Sequence, residues 1–503
     1  MSDFWPLGAA AVAFLVLLGL YRRLRRRSRE GQVTEVERRF DATLGRWKVE
    51  IDRFKFTRQG AVKTLLNHDH AIGTHIEELA ASGEEDRVKL RIRASRYVEE
   101  IVPFFRPLAY YSFGARFARW VLNTLYALDY RPEEVDAIKA YSQERPRSVI
   151  YLANHRSNVD YVLMAYVLAD RVALSFAVGE WARVWPLEYL FKAFGSYFLR
   201  RGFRDPLYHT VLRRYVQLVT KNAVTQALFP EGGLSRDGRL RSPKIGLVDN
   251  IILSKQDRSF RRELIFVPVA INYDRVLEDR VLVAERGSQR PKAGKLDGLR
   301  RVVEILFGNA RKLARHQIRR NGIAAVRFGE PVSFDAWHEG RGVDIFSLSK
   351  EGRRQHVAEF CNEMMERIAK LVPVTPLCLV ARSLLAHAPL DRPSLEQAVT
   401  KDIETLEQLG CEVVWKEKGV GVLVDGALLR FGLRHLIKEE QGVIELVPEH
   451  ERVLRYYAES VVHFEEGEVP RVETPTHLGS SEEGARVAAA AALSAVAREQ
   501  RIE

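Results

Sequence analysis

Apolar residues fill positions 4–21 ("FWPLGAAAVAFLVLLGLY") without one charge, and the basic run "RRLRRRSR" follows at once. As a helix that stretch is about 27 Å long at 1.5 Å per residue, close to the ~30 Å of a bilayer's hydrocarbon core. Residues 1–30 therefore read as a transmembrane anchor with a basic flank. Only Asp3 precedes the apolar run, unlike a cleavable signal peptide, and the arginines behind it place the rest of the chain on the cytoplasmic side. The expected location is the inner, cytoplasmic membrane.

From 31 to 144 the period is mostly helical and the surface charged. "NHDH" at 67–70 offers His68 and His70 as an H-x-H pair, but no further ligand is near and a solvated helix face is the simpler reading. The aromatic-rich region 97–130 is broken by Pro103 and Pro107 and carries Arg106, Arg116 and Arg119. It suits either an interfacial helix pair with snorkelling arginines or core helices packed on the next domain.

Past residue 145 the rhythm changes. "SVIYLA", "VALSFAV", "SYFLRR", "TQALFP" and "ELIFVPVAI" are short β-rich runs, separated by helical patterns at 161–169, 185–194 and 206–221. This alternation predicts an α/β domain over 145–388, a mixed, partly parallel sheet flanked by helices. Its last strand pattern ends near Asp335, and 353–371 reads as a helix. A small appendage at 389–466 and a flexible tail at 467–503 complete the expected order, with no internal repeat.

The polar residues of the α/β part collect where strands end, the usual place for ligand sites in open α/β sheets. His155 and Asp160 follow the first strand, with Arg156 and Ser157 between them. Arg200 and Arg201 close "GSYFLRR", which also holds Gly195 and Phe198. Glu231, Gly232, Gly233, Ser235, Arg236 and Arg239 follow the fourth strand, with Lys244 close behind. Asn272, Tyr273, Asp274 and Arg275 follow the fifth. A histidine titrates near neutrality, and a carboxylate on its other ring nitrogen fixes the tautomer and stabilises the imidazolium. Such a pair activates a hydroxyl. No nucleophile-elbow serine and no nearby cysteine is present, so the hydroxyl is the substrate's. The arginines call for an anionic partner, since guanidinium binds phosphate in bidentate fashion, and the glycines bring backbone N–H groups close to a ligand.

Composition adds little to this and removes alternatives. Hydrophobic residues make up 46% and charged residues 29%, which excludes wholesale disorder. The net charge of +12 fits partners bearing phosphate or carboxylate, although part of it belongs to the anchor's flank and does not by itself indicate nucleic acid. Cys361, Cys378 and Cys411 form no CxxC pair, so a reducing compartment is expected and a disulfide framework or zinc site is not.

In this order the four clusters resemble those of the membrane-bound glycerol-3-phosphate acyltransferases. That family carries H-x4-D, G-x-x-F-x-R-R, an E-G-G/T-x-S-R-x-G-R loop and V-P-x-x-I-x-Y-[DE]. Here they read "HRSNVD", "GSYFLRR", "EGGLSRDGR" and "VPVAINYD", and the likeness covers roughly 97–385. The resemblance implies His155 as base and Asp160 as its orienting partner. Arg200, Arg201, Glu231, Gly232, Ser235 and Arg236 would hold glycerol 3-phosphate, and Pro268 would shape the acyl-donor side. Arg156, Ser157, Gly195, Phe198, Gly233, Arg239 and Lys244 join them as candidate substrate-binding residues. The co-substrate would be a thioester of coenzyme A or of acyl carrier protein, with membrane lipids as surroundings, no nucleic acid partner, no metal and no resident cofactor.

One position departs from the pattern. The family's third block usually has an arginine directly after the two glycines, and here Leu234 stands there. Acylation of the mono-acylated product or of dihydroxyacetone phosphate are alternative activities. A basic membrane-tethered protein that grips lipid headgroups is the alternative outside enzymes.

Overall fold

The structure is a computed structural model and describes residues 59–83, 85–104, 115–168, 174–183, 187–200, 202–287 and 321–472. The anchor expected at 1–30 and the tail from 473 onward lie outside the described residues. Among the described residues no helix is long and apolar enough to cross a membrane.

The core is a mixed sheet of β1 (Ala127–Asp129), β2 (Arg147–Ala153), β3 (Ser175–Gly179), β4 (Tyr197–Leu199), β5 (Gln226–Leu228), β6 (Glu263–Tyr273), β7 (Ile323–Phe328) and β8 (Val332–Ser333). Their spatial order is β1-β7-β6-β2-β5-β3-β4, with β8 beside β6. Strands β6, β2, β5, β3 and β4 run parallel, so their C-terminal ends share one edge, while β7 and β8 are antiparallel to β6. All of β2 is buried, as a parallel strand covered on both faces requires, which explains its unbroken apolar run. Arg147 opens that run as the exception. Its Nε donates to Glu263 at 2.9 Å and its guanidinium lies 3.6 Å from the Tyr141 ring centre.

Pro268 stands in the middle of β6, where a missing N–H would ordinarily break a ladder. Its carbonyl accepts from Gly329 N at 2.9 Å on the side away from β2. That is where the chain passes from β7, paired with β6 from Val269 onward, to β8, paired at Ile265 and Phe266. The lost donor falls in this gap, and pairing with β2 is unbroken from Arg147 to Ala153.

The helix Pro206–Lys221 shows how the helical layer is specified. Asp205 caps it, accepting from Leu207 N at 2.9 Å, and proline occupies the first turn. Its apolar face packs on the helices His70–Ala81 and Arg87–Ile101. The H-x-H pair is divided by a helix break. Asp69 between the histidines caps His70–Ala81 and accepts Arg214 Nε at 2.9–3.0 Å.

Two observations bear on the expected boundaries. The α/β sheet does not begin at 145, because β1 pairs in parallel with β7; three residues, "ALD", carry no readable period. The second concerns 389–466, which is no separate appendage. The helix Pro376–His387 packs against Arg392–Gln408, Val420–Gly432 and Glu451–Ala458, so the expected border cuts through one helical layer. In the region 97–130, Ala115–Leu125 packs on Asp160–Val167, which favours the core-helix reading over an interfacial one.

Candidate functional site

The parallel edge gathers the ends of β2, β4, β5 and β6. The loop after β2 turns at once into the helix Asp160–Val167, and Asp160 stands at its first residue. There one carboxylate organises the loop. Its Oδ2 accepts from His155 Nδ1 at 2.8 Å, Arg156 N at 2.7 Å and Ser157 N at 3.0 Å, and its Oδ1 accepts from Tyr273 Oη at 2.6 Å. An acceptor-only partner places the proton on Nδ1 and leaves Nε2 basic. That nitrogen carries no hydrogen bond among the described residues, within a ring that is itself buried. The imidazole stacks on Phe229, with centres 4.1 Å apart and planes 16° apart, and takes the Tyr161 ring edge-on at 5.5 Å.

Neighbouring groups lock the rest of the loop. Asn154 exchanges two hydrogen bonds with the main chain of Ile271, at 2.9 and 2.7 Å, extending the β2–β6 ladder by a side-chain amide. Glu231 Oε1 accepts His155 N–H at 3.1 Å, and Ser235 N donates to His155 O at 3.1 Å. The third block thus clamps the histidine's own peptide. Burial pushes the Glu231 carboxyl up to about 8, against Arg156, the His155 N–H and Arg241, which pull it down; its Oε2 is buried and unpaired. Glu278 accepts from Ser157 Oγ at 2.7 Å and from Asn158 N at 3.2 Å, and burial raises its carboxyl as well.

Several candidate binding residues are committed to the protein itself. Arg156 is only 2% exposed; it donates to Gly238 O and, at 3.0 Å, to Ser460 O. Ser157 is held by Glu278. Gly195 occupies a left-handed turn at φ +82°, its carbonyl taken by Ser175 Oγ at 2.6 Å, and Phe198 is fully buried on the Phe191 ring. Arg200 reaches both oxygens of Glu100, which Arg183 shares at 2.6 Å, and lies 4.6 Å from the Phe203 ring centre. Ser235 Oγ bonds Arg239 O at 2.7 Å and Gly238 N at 3.1 Å, closing its own loop. Arg239 pairs with Glu459 and, at 2.9 Å, with Glu466. Arg201 lies outside the described residues.

The remaining candidates divide between surface and core. Arg236 is exposed, with Glu285 3.5 Å away. Gly232, at φ +67°, has the Lys244 side chain above it; a Cβ there would meet Lys244 Cγ at 2.9 Å. Gly233 is buried beside it. Pro268 is buried in β6, three residues before the ladder reaches Asn154's amide at Ile271. Of the fourth cluster only Tyr273 enters the site. Asn272 bonds Pro373 O at 2.9 Å, Asp274 takes Ile323 N and Leu377 N, and Arg275 Nη1 reaches Asn321 at 2.7 Å.

Sequence reasoning missed Phe229, Glu278 and Ser460. Phe229 stands in the quoted "TQALFP", but nothing local marks a ring that will lie under a histidine. Glu278 lies beyond the fourth block, and Ser460 contributes a carbonyl, for which no residue type is a signal. Among the described residues no three His, Cys, Asp or Glu side chains are grouped to hold a metal ion.

A buried histidine–carboxylate pair at a parallel sheet edge, closed by a glycine-rich basic loop, falls within residues 136–272, which match the family described as Acyltransferase. By class, this is an acyltransferase-domain protein. Residues 306–464 match the Glycerol-3-phosphate acyltransferase C-terminal region. Curated glycerol-3-phosphate acyltransferases of Aeromonas hydrophila and Shewanella woodyi are 29% and 28% identical to the chain over 80% and 70% of its length. The chain is thus similar to glycerol-3-phosphate acyltransferases over most of its length. It spans about half the length of these relatives, covering 49% and 43% of them. A crystal structure of the 1-acyl-sn-glycerophosphate acyltransferase of Thermotoga maritima aligns over 62% of this chain and 98% of that one, at 19% identity and a TM-score of 0.28, too low to carry an argument.

Proposed function

We propose that the chain transfers a fatty acyl group from a thioester, of coenzyme A or of acyl carrier protein, to a hydroxyl of glycerol 3-phosphate. The observation that carries this reading is His155, whose Nδ1 is committed to Asp160, which leaves Nε2 as the basic ring nitrogen. The acceptor oxygen gives its proton to Nε2 as it attacks the thioester carbonyl carbon. The C–S bond breaks, and the departing thiolate takes the proton back from the imidazolium. Asp160, held by two loop N–H groups and Tyr273, steadies that cation without moving. A positioned base supplies about 10²–10⁴-fold, and proximity of the two substrates supplies the remainder.

The similarity to glycerol-3-phosphate acyltransferases and the basic loop beside His155 support glycerol 3-phosphate as the acceptor. The apolar run 4–21 with its arginine flank supports attachment to the cytoplasmic face of the inner membrane, and removing residues 1–29 is expected to weaken that attachment. The function is tested with the purified full chain, offering glycerol 3-phosphate, its mono-acylated product and dihydroxyacetone phosphate, each with both donors. Preferred use of the mono-acylated product would reassign the chain to the second acylation. No transfer to any acceptor would leave a binding protein.

A further inference from the structure

The site displays many cations, and most are already neutralised. Arg200 is chelated by Glu100, Arg239 by Glu459 and Glu466, and Arg156 is buried against two carbonyls. Arg236 faces Glu285. A cation whose charge is already matched gives up that pairing to take a second anion, so these residues are weak candidates for a phosphate.

Two cations of the third loop have no carboxylate partner among the described residues. One is Lys244, whose stem lies over Gly232 and whose main chain closes the loop by donating to Pro230 O at 2.7 Å. The other is Arg241, two residues past the recognised block. It is exposed, and its Nη1 donates to Leu234 O at 3.2 Å. Its field also reaches Glu231, which holds His155 N–H. Arg241 therefore brings a guanidinium back to position 234, the point in the loop where Leu234 takes the place of the expected arginine.

We propose that Arg241, together with Lys244, binds the phosphate of the acyl acceptor, Arg241 standing in for the arginine absent at position 234. This assignment rests on the phosphorylated acceptor proposed above and adds a residue outside the four blocks. A guanidinium anchored by one Nη to a carbonyl keeps its remaining N–H groups for phosphate oxygens, and an ammonium from the same loop supplies a second positive charge without geometric demand.

The test is calorimetric titration of glycerol 3-phosphate and, separately, of acyl-CoA into the full chain, with the variants Arg241→Leu, Lys244→Met and the double variant Leu234→Arg/Arg241→Leu. Arg241→Leu is expected to weaken glycerol 3-phosphate at least about tenfold and leave acyl-CoA within about twofold. Lys244→Met weakens it less, and the double variant recovers most of the loss, which a merely structural role for Arg241 would not allow. Absent binding to the parent chain, unchanged binding in Arg241→Leu, equal losses for both ligands, or no recovery in the double variant would overturn the assignment. Acyl transfer by the parent chain is assayed in parallel. A parent that binds glycerol 3-phosphate through Arg241 but transfers nothing refutes the proposed reaction and leaves the binding site standing.

Discussion

The loop after β2 and the loop after β5 meet at the main chain of His155 and at the side chain of Arg156, and they treat their polar groups in opposite ways. In the first, Asn154, Arg156, Ser157 and Asp160 are all buried and partnered. In the second, Arg236, Arg241 and Lys244 stay exposed, and only Glu231 and Ser235 turn inward. A general base must be held in one orientation, which takes a dense hydrogen-bond network. A phosphate that comes and goes needs cations not already neutralised. The division shows that an arginine's presence in a motif says less about its task than the carboxylate or carbonyl it meets.

The comparison predicts that damage to the first loop is catalytic or structural, and damage to the second is a matter of affinity. Asp160→Asn should have the largest effect, a fall in kcat of about 10²–10⁴-fold with little change in acceptor KM, because the neutral amide no longer stabilises the imidazolium. A KM effect alone, with kcat preserved, would refute that role. Arg156→Met should cost roughly 2–4 kcal/mol in denaturant unfolding, since the Gly238 and Ser460 carbonyls lose their donor. Unchanged stability would show that the two carbonyls find water.

Glu231 gives a pH signature. In the unfolded chain its carboxyl ionises near its ordinary 4.5, whereas in the fold it is pushed up to about 8. Between those values the folded chain keeps a proton that the unfolded chain has released. Stability from this group is therefore undiminished below pH 4.5, falls as pH rises toward 8 and levels off above it. Glu231→Gln should consequently gain on the parent by a few kcal/mol between pH 5 and pH 9; parallel stability curves would contradict the burial argument. The smallest effect belongs to Arg239→Ala. With its charge matched by Glu459 and Glu466, the change should cost about 1 kcal/mol or less in stability and leave acceptor KM within about twofold. A large rise in acceptor KM would return Arg239 to the phosphate.

The strands of the sheet and the His155–Asp160 pair were legible because their causes are local. Continuous apolar runs such as β2 and β6 announce buried parallel strands, and five residues suffice to bring the histidine and the carboxylate together around a helix start. What was not legible depends on distance along the chain. Arg239 reads like Arg236 until Glu459, 220 residues away, is seen beside it. Arg241 lies outside the recognised block, which stops at Arg239, although it touches Leu234, the position where the block lacks its arginine. β1 escaped notice because three residues cannot show a period, and Glu278 because a lone glutamate after a strand reads as a solvated charge.

One contact has a consequence for how this protein is made. Arg156, in the catalytic loop, is satisfied by the carbonyl of Ser460, 304 residues later. Synthesis at ~5–20 residues per second separates the two by about 15–60 s. Through that interval the nascent chain holds its histidine and aspartate in order of sequence, but the guanidinium between them has no second partner. The loop around His155 is therefore completed only once Ser460 has been made, and a product terminated before Ser460 would carry all four motif blocks and still leave Arg156 short of a partner.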